Sequence, residues 1–489
     1  MPLISKLKIA ALILIPLISL LLHLPHFQKD LIGVHVWRQT QTQATIDHFY
    51  EEDFNILNPK RSNRGAGEGL LRMEFPLMQW LVAGIYKLSS PSVLTTRIFM
   101  FCTGLLAVFG SFLLIRNIFK NEYLALAGAF ALCFSPAFYY YTINPLPDNM
   151  ALCFGILGLA VFSSWYQNPV LRKSWRLFVS GVFLAIAALC KLPFILFFAV
   201  PLITLLMLWR QKSEAHAHLK YSTLIAAPSI LPLAWYAWVV PGWRHSNGIV
   251  YGMASNRISV GEFFDYLQHN LISTLPELLV NYAAMPFFVA GLWFMIRQGR
   301  KRGALFYGYF FCCLFILAYF FFELNMIAKV HDYYLFPFYP MIIILIVYGL
   351  NSLYRWKGSF LKPLIILLLL LPFTAYLRMQ HRWDESSPGF NADLLRYKHE
   401  LRAAVPDNAL CIAGTDQSGF IMFYYIDKKG WSYAEEQLTG KSMENMIRQG
   451  ARYIYSDHSV SDRADLKKYL SDKVGQWGSI QVFQLAVKD

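Results

Sequence analysis

The chain has 489 residues, 56% of them apolar and only 15% charged, against roughly 25% charged in soluble domains, which excludes both a soluble single domain and a disordered chain. Its 44 lysines and arginines outnumber 30 aspartates and glutamates, a formal charge of +14 that would suggest nucleic acid only if it formed a surface stripe. From Arg378 to Asp489, however, 15 bases and 15 acids cancel, so the whole excess belongs to residues 1–377.

Apolar runs approaching the roughly 20 residues a bilayer needs occur at about 9–25, 98–115, 123–141, 149–166, 176–190, 194–209, 221–240, 281–297, 304–322, 333–350 and 363–379. Eleven membrane spans are therefore expected. Lys6 and Lys8 precede the first run as in a signal peptide, but no small-x-small cleavage site follows, and the run reads as the first membrane helix.

The N-terminus and alternate loops carry the bases: Lys6 and Lys8; Arg116 and Lys120; Arg172, Lys173 and Arg176; Arg210, Lys212 and Lys220; Arg297, Arg300, Lys301 and Arg302; Arg355, Lys357 and Lys362. Only Glu122 and Glu214 oppose them. By the positive-inside rule the N-terminus is cytoplasmic, and eleven crossings put the tail outside. The +14 is thus a topology signal and implies no nucleic-acid partner.

The segments 26–97, 241–280 and the tail from about 380 then face outward. In the long first loop, the apolar piece Phe75–Lys87 is too short to cross and reads as an interfacial or re-entrant helix. The tail alternates a helix near 391–404, a strand at Ala409–Ala413, helices near 417–426 and 440–449, a strand at Arg452–Ser456, a helix at 461–471 and strands over 474–485. This is a small α/β domain, in which Lys428-Lys429-Gly430-Trp431 reads as a basic turn with an exposed aromatic. The fold class is a polytopic α-helical membrane protein, with a membrane domain over 1–379 and an external α/β domain over 380–489. Six of the seven cysteines sit in apolar runs and read as small core residues rather than a disulfide framework.

No Walker loop, GxGxxG, HExxH, CxxC or GxSxG motif is present. Polar residues instead gather in four external clusters. The first runs from His35, Trp37, Arg38 and Gln39 through Asp47 to Glu74; it reads as a solvated loop with an aromatic anchor or as a site, and charge pressed between membrane segments favours the site. The second is the turn Pro147-Asp148-Asn149, where Asp148 reads equally as a helix cap. The third is Lys191-Leu192-Pro193, a snorkelling lysine or an anion contact. The fourth is Lys329, His331, Asp332, Tyr333 and Tyr334, an aromatic belt or a pocket lining. All four fall at one expected membrane depth, as a site between helix bundles requires.

With these residues in view, the chain resembles the GT-C glycosyltransferase superfamily, in particular its protein O-mannosyltransferase and aminoarabinose lipid A transferase branch. The resemblance runs through the long first loop, the short helix opening Glu74-Phe75-Pro76-Leu77, the Arg97-led span, Pro136 with the Pro147-Asp148 turn, Lys191-Leu192-Pro193, and Tyr333-Tyr334-Leu335-Phe336-Pro337. It implies a sugar moved from a polyprenyl phosphate donor to a lipid, glycan or protein acceptor at the outer face of the plasma (inner) membrane, with inversion. The family's base is an acidic residue of the first external loop, and here Trp37-Arg38 occupies the place of the acidic pair. The basic residue that usually precedes the short helix is Glu74, so the two charges read as swapped.

Such a reaction requires cations for the departing phosphate and a base for the acceptor. Arg38, Lys191, Lys329 and His331 are the candidates for the phosphate, and Glu74, Asp148, Asp47 and His35 for the base. Trp37, Gln39, Asp332, Tyr333 and Tyr334 are candidate substrate contacts. No metal or other cofactor is implied. The alternatives are a lipid or glycan transporter, which lacks support from repeated halves, and a non-catalytic envelope assembly protein.

Overall fold

The computed structural model describes residues 3–486 except 66, 212–214, 244–256, 298–301, 357–360, 417, 435–436 and 458–459. Lys212, Glu214, Arg300, Lys301 and Lys357 of the expected cytoplasmic loops lie outside the described residues. The chain forms two compact units. One comprises 1–27, 73–78 and 97–381; the other comprises 28–72, 79–96 and 382–489. Most of the first external loop therefore clusters with the tail.

The helices used below are α1 (Leu3–His23), α2 (Val36–Glu51), α3 (Leu77–Tyr86), α4 (Val93–Phe119), α5 (Glu122–Cys133), α6 (Pro136–Tyr141), α7 (Pro147–Gln167), α8 (Ser174–Cys190), α9 (Ala199–Gln211), α10 (Ala215–Ala226) and α11 (Ile230–Trp243). Then come α12 (Val260–His269), α13 (Met285–Arg297), α14 (Ala304–Phe322), α15 (Tyr339–Trp356) and α16 (Leu361–Met379). Among the described residues, seven helical stretches are long and apolar enough to cross a membrane. An eighth arises if Val260–Val280 and Met285–Arg297, bent by 111°, count as one span. The runs expected at 9–25, 123–141 and 176–190 fall on shorter apolar helices, and Phe75–Lys87 on α3.

Close backbone approach builds the first unit. A Cβ on Gly349 of α15 would meet the carbonyl oxygen of Phe287 in α13, so only glycine lets these helices touch there. Small residues at such crossings are the usual packing device where lipid removes the hydrophobic drive between helices. Cys102 departs from the expectation of a core residue, because it lies on the outward side of α4 and is exposed.

In the second unit the tail helices are α17 (Ala392–Arg396), α18 (Lys398–Ala403), α19 (Ile421–Ile426) and α20 (Gly440–Arg448). The strands are β1 (Leu410–Gly414), β2 (Lys429–Ser432), β3 (Tyr453–Ser456), β4 (Leu470–Trp477) and β5 (Ile480–Leu485), in sheet order β2-β1-β3-β5-β4. β1 pairs in parallel with β2 and β3, while β5 runs antiparallel to β3 and β4. Strand alternation divides the core between the two faces. Cys411 and Ala413 pack with Leu31, Val36, Leu401 and Tyr425, whereas Ile412 packs with Trp431, Met443 and Ile454.

Two expectations for the tail are corrected. The helix at 461–471 ends at Lys467, because Leu470 begins the pairing of β4 with β5. Lys428-Lys429-Gly430-Trp431, read as a basic turn with an exposed aromatic, is strand β2 with Trp431 buried.

Candidate functional site

Two sets of predicted residues emerge, one in each unit. In the first unit, α7 opens with Leu146 at the cap position and Pro147 in the first turn, where a missing N–H costs nothing. Asp148 is therefore not the cap; its fully buried carboxylate lies in the first turn of the helix, at the positive end of the dipole. Helix α8 stops at Cys190, and Lys191 leaves it in an extended conformation ahead of Pro193, which cannot continue a helix. This end brings the Lys191 ammonium to 3.6 Å from the Asp148 carboxylate, with both side chains largely buried.

The aromatic wall comes from the turn Asp332–Phe338. Lys191 Nζ lies 5.0 Å from the ring centre of Tyr334 and 5.8 Å from that of Tyr333, within cation–π range. Tyr141, at the end of α6, donates from its Oη to Asp332 at 2.6 Å and meets Tyr333 edge-on. His331 Nδ1 lies 2.5 Å from the Met326 carbonyl oxygen. Burial lowers its imidazole below the usual range, against that hydrogen bond and the nearby Asp332 carboxylate.

Glu74 is held beside the same helix end. The Phe75 amide donates to Leu189 O at 3.0 Å, and Trp235 Nε1 donates to Met73 O at 3.1 Å. Glu74 and Asp148 are both electrostatic neighbours of Cys190 and Tyr236. Asp148 and Lys191 thus form a buried pair, and partly buried Glu74 acts on the same neighbours as Asp148. Lys329, in contrast, is engaged 2.7 Å from Asp265 of α12, with both side chains about half exposed.

The other set lies in the second unit. His35 caps α2 in the left-handed conformation and its carbonyl accepts from the amides of Arg38 and Gln39. Arg38 donates to Gln41, and Gln39 Nε2 donates to Val34 O at 3.0 Å. Trp37 packs against the core around Leu31 and Tyr425. Far from a solvated loop, α2 buries Arg38, Gln39, Thr40, Gln41, Thr42 and Gln43. Asp47 accepts from Gln43 Nε2 at 2.8 Å, and burial pushes its carboxyl up to about 7, aided by the Glu51 and Asp427 carboxylates.

Residues that sequence reasoning missed are Tyr141, Tyr236 and Tyr319. Tyr319 has Tyr334, Glu323 and Asp148 as electrostatic neighbours. Tyr141 was signalled by its place in Tyr139-Tyr140-Tyr141 just ahead of the Pro147-Asp148 turn; Tyr236, inside an apolar span, carried no signal. Among the described residues, no group of three or more histidine, cysteine, aspartate or glutamate side chains is placed to hold a metal ion.

The fold, with its apolar helices and small tail sheet, is that of a multi-pass membrane protein, similar to the fold of GT-C glycosyltransferases. Residues 65–242 match the family model of the dolichyl-phosphate-mannose-protein mannosyltransferases. Among solved structures, the chain is similar to ArnT from Cupriavidus metallidurans bound to undecaprenyl phosphate, with TM-score 0.65 and 15% identity over 98% of this chain and 97% of that one. The apo state of the same protein matches equally. The archaeal oligosaccharyltransferase AglB from Archaeoglobus fulgidus, in complex with an inhibitory peptide and a dolichol-phosphate, matches with TM-score 0.57 and 12% identity over 94% of this chain and 70% of that one. No curated protein sequence matches the chain.

Proposed function

We propose that the protein transfers a sugar from a polyprenyl phosphate to an envelope lipid, glycan or protein at the outer face of the plasma membrane, by a single inverting displacement. The observation that carries the reading is the buried Asp148–Lys191 pair beneath Tyr333 and Tyr334, with Glu74 beside it. Lipid phosphates named in the similar ArnT and AglB structures support a lipid-linked donor.

In this reading a carboxylate, Asp148 or Glu74, takes the proton of the acceptor hydroxyl or amine as that atom attacks the anomeric carbon from the side opposite the phosphate. The sugar–oxygen bond to the phosphate breaks, and its electron pair leaves with the polyprenyl phosphate. Lys191 offsets the negative charge developing on that phosphate; in a site shielded from water such a contact counts for far more than in bulk solvent. Tyr333 and Tyr334 hold the lysine and offer faces to the sugar ring.

The test is incubation of purified protein with a panel of polyprenyl-phosphate sugars, reading release of free polyprenyl phosphate. Asp148→Asn is expected to lower kcat by roughly 10²–10⁴-fold, the range of a general base. Lys191→Met is expected to lower it by roughly 10²–10³-fold, as for loss of one charge-stabilising donor. No release with any donor sinks the reading and shifts it to a transporter or an assembly protein.

A further inference from the structure

The first unit holds a cavity of about 680 Å³ that the reaction does not use, inside the roughly 300–1,000 Å³ range of small-ligand sites. Its wall follows α14 from Leu305 to Leu317. At 1.5 Å per residue that is roughly 18 Å, close to the thickness of one leaflet of a ~30 Å hydrocarbon core. Leu314, Phe310 and Leu317 line it and are themselves partly open to the surroundings, as the side wall of a groove facing lipid would be.

One end of the groove is polar. Gln167 ends α7 there, and Arg302 precedes α14 with its guanidinium 4.1 Å over the Phe306 ring and donating to Met295 O. The helix ends that frame this mouth also carry Arg116, Lys120, Arg172, Lys173 and Arg297. All belong to the loops whose positive charge marks the cytoplasmic side. Asp148 lies at the opposite end of α7, 19 residues from Gln167, or roughly 29 Å along the helix. The groove therefore opens at the other membrane face from the Asp148–Lys191 pair.

We propose that this groove binds one anionic phospholipid of the cytoplasmic leaflet, with an acyl chain along α14 and its phosphate at Arg302. The fit is one leaflet of apolar length ending at a basic mouth, and the negative surface of that leaflet supplies the complementary charge. The site is separate from any donor site and stands whether or not the chain transfers sugar.

The experiment is native mass spectrometry of the full-length protein released from nanodiscs of equal phosphatidylglycerol and phosphatidylcholine. The expected result is one retained phospholipid with preference for phosphatidylglycerol. Arg302→Gln is expected to reduce that preference roughly fivefold, the equivalent of about 1 kcal/mol per basic residue near a membrane surface. Leu314→Trp, which fills the groove, is expected to abolish retention of either lipid. Retention that neither variant alters, or a retained molecule that proves to be a polyprenyl phosphate, overturns the proposal.

Discussion

Burying a charged group is costly unless it is paired, and this rule separates the predicted residues. Asp148 and Lys191 answer one another across 3.6 Å, whereas Lys329 is answered by Asp265 with both side chains half exposed. Glu74 shares the neighbourhood of Asp148 at Cys190. If the charges of Glu74 and Arg38 have been swapped as the sequence reads, Glu74→Gln should lower transfer at least tenfold with donor affinity kept; full activity in a kcat assay assigns the base to Asp148 alone. A second effect concerns Asp47, whose carboxyl is pushed up to about 7 from an ordinary 3.8. Between those values the folded state holds more protons than the unfolded chain, so stability falls as pH rises through this window. Asp47→Asn is expected to flatten the fall, measured as the thermal midpoint of the full-length protein at about pH 5 and about pH 8.

At the scale of elements, strong periodic signals transferred from sequence and weak ones did not. The strands near 409–413 and 452–456 and the helix near 440–449 stand within a residue of expectation. Helix α2 has no glycine or proline from 36 to 51, yet its polar face hid it, because an amphipathic stripe was the cue and α2 is buried with its polar groups bonded inside. Strand β2 is four residues long with a glycine inside, too short for alternation to show. That glycine is structural. Gly430 has a φ of +154°, its amide donates to Ser62 O at 3.0 Å, its carbonyl accepts from the Arg64 amide at 2.7 Å, and a Cβ there would meet the Cys411 carbonyl oxygen. Gly430→Ala is expected to cost about 1–3 kcal/mol through overpacking, seen as faster proteolysis of the tail in the full-length protein.

For the whole molecule, the charge distribution makes a prediction about sidedness. Cysteines introduced at Lys173 and Ser386, in a background with exposed Cys102 replaced, should react with a membrane-impermeant thiol reagent only from the cytoplasmic side at Lys173 and only from outside at Ser386. The same side at both positions would remove the odd number of crossings. The unit division also changes how deletion of the tail should be read. Asp30 pairs with Lys398 at 2.5 Å, Tyr425 donates to Leu31 O at 2.7 Å, and Glu52 binds Lys60, Lys429 and His48. Removing 385–489 therefore strips a core from residues 28–72.

By itself the sequence determined the membrane class, the apolar runs, the loop-charge pattern and the resemblance to GT-C glycosyltransferases, because hydropathy, loop charge and local motifs are all properties of neighbouring residues. Asp148, Lys191 and the Tyr333-Tyr334 pair could be named as polar intrusions at span ends for the same reason. What only the tertiary structure decided was pairing: that Lys191 answers Asp148 and Lys329 answers Asp265, that Tyr141 holds Asp332, and that the first external loop shares a core with the tail. These partners are tens to hundreds of residues apart, and no local pattern selects one distant partner over another until packing and the cost of buried charge choose among them.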